Sequence, residues 1–313
     1  MTEISRNTGS EGKRFVLASA AYNEDKYIEK LMQSVVNGTR RPLRWVIVSD
    51  GSTDRTDEIV KQYAARYEFI RLHRITEDHP RNFAAQAIAI NTGFGLLRDL
   101  EFDFIGNLDA DITLEPTYFD ALLDRFEKDS RLGVAGGYIW EEDGGQFRCR
   151  KTNSPRSVAH AVQLFRRKCL NDVGGAYVPL PYGGPDWYAE IKARMHKWEV
   201  RAFPELKVYH HRPTSSAEGF PRNWYRQGLL HYSFGSHPIF EVCKAVRRMR
   251  SKPYVLGAAV MFSAFVWAHA RREKRCVPPE MIEHLREEQM NRVANLFSVG
   301  HGRKAPLDNT AGM

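Results

Sequence analysis

The chain has 313 residues, a formal net charge of +8 and a hydrophobic content of 42%. That length suits one large domain, or one domain with appendages. The basic balance favours acidic partners such as nucleotides, anionic lipid or nucleic acid. The four cysteines lie far apart without CxxC spacing, which predicts reduced thiols in a cytosolic chain and no zinc site. The polar N-terminus, MTEISRNTGSEGKR, lacks an apolar core and predicts no signal peptide.

Short apolar segments alternate with helical patterns between residues 14 and 140. Strands are predicted at 15–21, 45–48, 69–73, 102–108 and 134–140. Helices are predicted at about 25–37, from the end of SDGSTD to about 67, at 83–97 and at about 116–128. This alternation predicts an α/β fold, with a parallel sheet covered by helices. Ligands bind such sheets at the carboxyl ends of the strands, where acidic stretches fall at 22–24, 49–54 and 109–111.

The second half of the chain is less regular. The patterns predict a strand at 162–165, a loop entering a helix at 183–198, the end of a short strand at 208–210, and a loop at 212–223. Pro185 is compatible with the first turn of that helix. The Gly-, Ser- and charge-rich ends, 1–13 and 300–313, are predicted to be disordered tails.

The most apolar segment, residues 253–269, has basic clusters on both sides. Its length, about 17 residues, is the short limit for a helix that spans a membrane. Positive charge on both sides argues against a simple span, because Lys and Arg favour the cytoplasmic side. A helix or hairpin lying at the inner membrane surface is therefore favoured. The alternative is a buried core helix with solvated basic ends.

Two carboxylates end the apolar stretch FIGNLDADI at 104–112. If that stretch is a strand, Asp109 and Asp111 point the same way, because side chains alternate along a strand. Two like charges so close repel each other unless a cation lies between them, and hard divalent cations prefer carboxylate oxygens. A DxD also occurs by chance, and carboxylates at strand ends often cap a helix.

Two further motifs follow the first two predicted strands. In VIVSDGSTD, Gly51 permits a sharp turn and residues 52–54 suit a helix N-cap, which leaves Asp50 unexplained. A carboxylate there can accept a hydrogen bond from a base N–H, as in a uracil-like ring. In AAYNE, Tyr22 is placed to flank a flat ring and Asn23 to satisfy its polar edges, or the segment is simply a turn into the helix.

Taken together, AAYNE, VSDGSTD, RNFAAQAIAINTG, LDADI, FRRKCLNDVGG and GGPDW, in this order, resemble the motifs of family 2 glycosyltransferases. The resemblance covers about residues 14–215; the ordered set is specific, although no single motif is. It implies a GT-A fold: a Rossmann-like, mostly parallel sheet with helices on both faces. It also implies inverting transfer from a nucleotide sugar with Mg²⁺ or Mn²⁺. The implied catalytic domain is 14–223, and the helical segment 224–299 is expected to associate with the membrane.

The resemblance also implies where the donor binds. The nucleotide lies against the AAYNE residues Ala21, Tyr22, Asn23 and Glu24, and Asp50 holds its base. Ser49 stands where the family often has a second Asp. Asp109 and Asp111 bind the donor diphosphate through the metal, with Asp111 the more direct ligand. His210, or its neighbour His211, is a third metal or diphosphate contact, unless it is structural.

The resemblance implies one more role, that of Asp186, and the residues themselves suggest roles for Trp187, Arg212 and Arg81. Asp186 is the catalytic base, and Pro185 replaces the acid that usually precedes it; the alternative for Asp186 is a helix cap. Trp187 stacks on an acceptor sugar ring or lies in the core. Arg212 closes over the donor phosphates. Arg81 reaches the nucleotide or is a solvated surface residue.

Other classes of protein explain less. A sugar nucleotidyltransferase needs a Gly-rich loop after the first strand, and residues 19–26 contain no glycine. A nucleic-acid-binding protein is disfavoured because the excess charge clusters at 244–275 and no basic–aromatic RNA motif occurs. A non-catalytic, membrane-associated scaffold of a polysaccharide assembly complex stays open. The expected acceptor is a glycan or polyprenyl-diphosphate-linked glycan, extended at the cytoplasmic membrane face in cell-surface or exopolysaccharide synthesis.

Overall fold

The computed structural model describes residues 13–76, 83–212, 221–249 and 254–299. The chain divides into two units, Met1–Ser216 and Ala217–Met313. Apart from residue 13, the tails predicted at 1–13 and 300–313 lie outside the described residues, as does Arg81.

One nine-stranded sheet organises the described part of the first unit. Its strands are β1 Phe15–Ala21, β2 Arg44–Asp50, β3 Ile70–Ile75, β4 Phe104–Asn107, β5 Ile112–Leu114, β6 Leu132–Asp143, β7 Gln146–Cys149, β8 Leu164–Arg166 and β9 Glu199–His210. The strand order is β3-β2-β1-β4-β8-β6-β9-β5, with β7 paired to β6. The first four strands in this order are parallel, and the remainder is mixed.

Helices cover this sheet and complete the predicted α/β pattern. They are α1 Ile28–Val36, α2 Thr56–Arg66, α3 Phe83–Leu97, α4 Tyr118–Lys128, α5 Arg167–Val173 and α6 Pro185–Met195. The strands β1 and β2 are buried almost throughout, as expected for continuous apolar runs inside a parallel sheet. Trp45, on β2, lies fully inside and donates its indole N–H to Ser19 Oγ at 3.0 Å.

The second half of the sheet differs from the sequence-based expectation. The strand predicted to be short, ending at 208–210, is the 12-residue β9. Its length comes from pairing with β6, another 12-residue strand that turns back through Gly144 and Gly145 into β7. The predicted strand at 162–165 is split into a 3₁₀ turn, His160–Val162, and β8.

Asp109 and Asp111 do not lie on a strand. β4 ends at Asn107 and β5 begins at Ile112, so both carboxylates belong to the turn between them. The Asp109 N–H donates to the Ala161 carbonyl at 3.0 Å, which fixes the turn. The argument from alternating side chains is therefore wrong, and the turn brings the two groups together.

The described part of the second unit is helical. It contains α7 Arg222–Ser233, α8 Pro238–Arg248, α9 Tyr254–Ala270 and α10 Pro279–Val299. The start of α7 lies inside the predicted loop at 212–223. α7 and α9 approach closely at Gly228, where a Cβ would stand 2.2 Å from the Met261 carbonyl oxygen.

The apolar segment at 253–269 forms α9 and buries only one face. Met261 and Phe265 lie inside the unit, 1% and 3% exposed, whereas Val255 and Trp267 are 58% and 54% exposed. Within the described ranges, none of the helices combines the length and the apolarity needed to cross a membrane. The helix thus matches neither a fully buried core helix nor a simple span.

Candidate active site

The loops after β1 and β2 are joined by hydrogen bonds that set the shape of one side of the site. Asn23 adopts a left-handed backbone with φ 53°, and its N–H donates to Ser52 Oγ at 3.2 Å. Thr53 N–H donates to Asn23 Oδ1 at 2.8 Å. Asn23 therefore holds the two loops together, a role that the sequence motif did not reveal.

The residues expected at the nucleotide lie around these loops. Ala21 ends β1 and is buried, Tyr22 after it is 45% exposed, and Asp50 ends β2 and is 5% exposed. Asp54 accepts from Thr56 N–H at 3.0 Å through Oδ1 and from Asp25 N–H at 3.0 Å through Oδ2. The N-cap of α2 is Arg55, which makes no side-chain capping hydrogen bond, so the prediction that residues 52–54 supply the N-cap is wrong. Asp54, one position earlier, instead accepts from the first residue of the helix.

Asp109, Asp111 and His210 lie together although the chain separates them by up to 101 positions. One ligand atom from each lies within 4.8 Å of the others. His210 reaches this position because β9 pairs with β5, where His210 stands opposite Ile112, next to Asp111. Its Nε2 lies 3.0 Å from Asp111 Oδ1.

The donor set of this triad fits a divalent cation. Two carboxylates offer the oxygen ligands that Mg²⁺ and Mn²⁺ prefer, and an imidazole adds a nitrogen. Burial by itself raises the pKa of Asp111, but His210 and Arg212 together hold it below its usual range. Asp111 is therefore an anion, as a metal ligand must be.

Arg212 links the triad to the loop after β1, which carries Glu24. Its Nε donates to Asp111 Oδ2 at 2.9 Å, and its Nη2 donates to Glu24 Oε1 at 2.7 Å. Burial raises the pKa of Glu24 to about 7 despite this guanidinium. Arg212 is the residue predicted to close over the donor phosphates. It lies beside the triad, and 43% of its charged side chain is exposed to solvent.

Asp109 contacts two side chains, Gln86 and His160, that form no hydrogen bond or ion pair with Asp111 or Arg212. Gln86 Nε2, from α3, donates to Asp109 Oδ1 at 2.8 Å, and His160 Nδ1 lies 3.5 Å from the same oxygen. Burial lowers the pKa of His160, but Asp109 and then Asp186 outweigh it and raise the pKa above its usual value. His160 therefore lies within the electrostatic reach of both carboxylates.

Asp186 stands in the first turn of α6. Gly184, with φ 85°, is the N-cap of this helix, and Pro185 is its first residue, so Asp186 is not the cap. Asp186 and Trp187 are both half-buried. Burial raises the pKa of Tyr177 and of Glu190, and the charge of Asp186 adds to both shifts, so Asp186 lies near these two groups.

Several residues of this site have no predicted role. Gln86 lies in the RNFAAQ stretch without an assigned role, and Tyr177 Oη donates to Asn107 Oδ1 at 2.7 Å and lies 2.6 Å from Gln163 Oε1. Long-range folding brings them to the site, and spacing along the chain gives no sign of it. Tyr27, whose ring lies 5.8 Å from the Arg212 guanidinium, is another such residue.

Known proteins match both the sequence and this architecture. The model of glycosyl transferase family 2 matches residues 18–176, and the chain belongs to this family. The fold is GT-A, as the motifs predict. A chondroitin synthase of Escherichia coli is 33% identical over 166 residues, which cover 48% of this chain and 22% of that protein. A poly-β-1,6-N-acetyl-D-glucosamine synthase of Staphylococcus epidermidis is 28% identical over 184 residues, covering 52% and 42%.

Solved structures share the fold at low identity. The mannosyltransferase PcManGT from Pyrobaculum calidifontis, in complex with GDP-Man and Mn²⁺, superposes with a TM-score of 0.53 at 17% identity, covering 94% of this chain and 76% of that one. S. aureus TarS 1–349 in complex with UDP-GlcNAc gives 0.51 at 14% identity, covering 87% and 78%. This chain spans less than half the length of the two curated relatives, 22% and 42%.

Proposed function

We propose that the protein is an inverting glycosyltransferase that moves a sugar from a nucleoside-diphosphate sugar to a hydroxyl of a glycan or a polyprenyl-diphosphate-linked glycan. This proposal is carried by the grouping of Asp109, Asp111 and His210 near Asp186. His160 connects the two, because the charges of Asp109 and of Asp186 both act on its imidazole. The names of the relatives, synthases of chondroitin and of poly-N-acetylglucosamine, support a role in cell-surface or exopolysaccharide synthesis.

The donor binds on the strand-end side of the site in this proposal. Asp50 accepts a hydrogen bond from the base, and the loop at 21–24 flanks the nucleoside. Asp109, Asp111 and His210 hold Mg²⁺ or Mn²⁺, which offsets the charge of the leaving diphosphate when it is bound. The neighbour solved with GDP-Man and Mn²⁺ supports the use of a divalent cation.

Asp186 takes the proton of the acceptor hydroxyl. The acceptor oxygen forms a bond to the anomeric carbon as the bond from that carbon to the diphosphate oxygen breaks. The bonding electrons leave with the nucleoside diphosphate, and attack from the opposite face inverts the anomeric centre. A positioned carboxylate is suited to accept the proton in this transition state. Trp187, adjacent to Asp186, is placed to stack on the acceptor ring.

A nucleotide-sugar panel tests the donor half. Thermal unfolding is measured with UDP- and GDP-sugars in Mn²⁺, Mg²⁺ or EDTA, for wild type, Asp111→Asn and the control Asp120→Asn. Asp120 lies on α4 and accepts from Arg40 Nε at 2.6 Å, away from the triad, so its substitution leaves the triad intact. We expect a metal-dependent shift with one donor in wild type and control, and its loss in Asp111→Asn. No shift with any donor in wild type contradicts the proposal and favours the scaffold alternative.

The base is tested separately once the donor is known. Asp186→Asn should keep the metal-dependent donor shift but lower transfer by about 100-fold or more, because general-base catalysis is lost. Transfer at the wild-type rate in this variant excludes Asp186 as the base.

A further inference from the structure

Helix α8 turns its apolar side outward. Ile239, Val242, Val246 and the adjoining Met249 are 52%, 47%, 57% and 40% exposed. Spacings of three and four residues place these side chains on one face of the helix. Single exposed apolar side chains are ordinary, but a continuous stripe on one helix face marks an interaction surface.

The opposite face of α8 is charged and buried against α7. Glu241 is 1% exposed, and its Oε2 lies 3.1 Å from His231 Nδ1. Lys244 Nζ lies 2.8 Å from His231 Nε2. Arg248 donates to Gln227 Oε1 at 2.8 Å. This network fixes the rotation of α8, because turning the valines inward would leave the buried charges without partners.

Helix α9 adds a second exposed apolar face in the same unit. Val255, Leu256, Val266 and Trp267 are 58%, 56%, 47% and 54% exposed. The guanidinium of Arg271 lies 5.6 Å from the centre of the Trp267 ring. Tryptophan beside a basic residue is the combination that membrane–water interfaces favour.

The charge of this region identifies the partner chemistry. Among the described residues of 221–275, five Lys or Arg side chains are exposed, Arg222, Arg247, Arg271, Arg272 and Lys274, whereas neither Glu of this stretch is exposed. An anionic bilayer offers negative headgroups and an apolar layer beneath them, which match both properties of the surface. A second copy would bring two strongly basic segments together, which like-charge repulsion opposes.

We infer that the exposed faces of α8 and α9 form one membrane-docking unit that lies on anionic lipid. This inference deepens the proposed function, on which its choice of partner rests, since a polyprenyl-linked acceptor is presented at such a surface. It narrows the expected contact from the whole helical segment 224–299 to the outward faces of α8 and α9.

Vesicle sedimentation tests the docking surface. The full chain is mixed with phosphatidylcholine vesicles, with or without about 30% phosphatidylglycerol, in about 0.1 M and about 0.5 M NaCl. The test variant is Val242→Glu/Val246→Glu, and the control is Leu96→Glu, an equally exposed leucine of α3, 52% accessible. We expect wild type and control to bind anionic vesicles at low salt, and the double variant to bind about tenfold more weakly or worse.

Three results would overturn the inference. They are no binding of wild type to anionic vesicles, equal loss of binding in Leu96→Glu, and a concentration-dependent dimer that the double variant abolishes. Circular dichroism checks folding, and Val246→Ser replaces the double variant if that variant unfolds. A donor-dependent thermal shift retained in the double variant separates loss of docking from failure of the proposed function.

Discussion

Glu190 follows Asp186 by one turn of α6, and its carboxyl is almost completely enclosed, 1% exposed. Its Oε1 accepts from Val158 N–H at 2.6 Å and from Gln163 Nε2 at 3.3 Å. Burial, and then the charge of Asp186, raise the pKa of Glu190 to about 8. Glu190 thereby ties the helix of the proposed base to the segment that carries His160.

Two substitutions of Glu190 should separate the contribution of its hydrogen bonds to stability from the effect of its charge. Glu190→Gln keeps an oxygen that accepts from the Val158 N–H, and its side chain is neutral, like the protonated acid. We therefore expect the free energy of unfolding to change by no more than about 1 kcal/mol. Glu190→Ala leaves the buried Val158 N–H unpaired, removes one of the two hydrogen bonds of Gln163 Nε2 and opens a cavity. It should lower the free energy of unfolding by about 2–4 kcal/mol. Urea unfolding near pH 6 measures both. A loss in Glu190→Gln as large as in Glu190→Ala contradicts the assigned neutral state.

The raised pKa of Glu190 also predicts a pH dependence. Between the ordinary glutamate pKa and about 8, the folded protein holds the proton more tightly than the unfolded chain. Stability from this group is present at low pH and is lost as pH rises towards 8, by at most about 1.4 kcal/mol per pH unit. The stability difference between wild type and Glu190→Gln should shift in favour of the variant from pH 5 to 8. A pH-independent difference would show that Glu190 titrates normally.

Two glycines of α3 provide a matched pair for testing how the helix packs on the sheet. A Cβ at Gly93 would stand 2.7 Å from the Ala18 Cβ and 3.3 Å from Val48 Cγ2, whereas one at Gly95 meets nothing within 4 Å. Gly93→Ala should destabilise the first unit by about 1–3 kcal/mol through overpacking. Gly95→Ala should stabilise it by about 0.5–1 kcal/mol, because alanine favours the helix. Thermal unfolding of both variants measures this difference in stability. An equal change in Tm for Gly93→Ala and Gly95→Ala would contradict the close packing of Gly93 on the sheet.

His231 predicts acid sensitivity in the second unit. Burial, and then the nearby Lys244 charge, lower the pKa of His231 to about 4, although Glu241 acts in the opposite direction. The unfolded chain therefore binds more protons between about pH 6.5 and 4, and stability falls as pH falls through that window. His231→Gln should flatten the fall in a urea series monitored by far-UV dichroism. A wild-type slope that persists in the variant would assign the acid sensitivity to other groups.

Local patterns predicted the elements whose residues are apolar in a continuous run. β1 and α3 have the predicted bounds, 15–21 and 83–97. β1 is buried almost throughout, and α3 packs buried residues such as Ile90 and Phe94 in the core. β9 was underestimated because its first residues depend on pairing with β6, which no local pattern reports. The polar stretch at 141–149 lies outside the predicted elements, although its Gly144 and Gly145 supply the hairpin turn between β6 and β7.

The candidate site shows the same division between local and long-range information. The motifs identified Asp109, Asp111 and His210, although the reason given for the first two, strand alternation, was wrong. Glu190 and His160 escaped notice because their importance depends on contacts with distant segments. Arg81 lies outside the described residues, so its role stays a prediction.

The triad of Asp109, Asp111 and His210 joins parts of the chain that lie far apart in the sequence and are therefore synthesised at different times. The parallel strands β1, β2, β3 and β4 lie within residues 15–107, whereas His210 comes from the last strand of the sheet. Contacts between distant segments form late because closing a long loop costs entropy. A nascent chain that ends before β9 therefore carries the loops after β1 and β2 without the third member of the triad. Under the proposed metal role, the cation binds its full set of ligands only after β9 has joined the sheet, so a partly synthesised chain lacks the complete site.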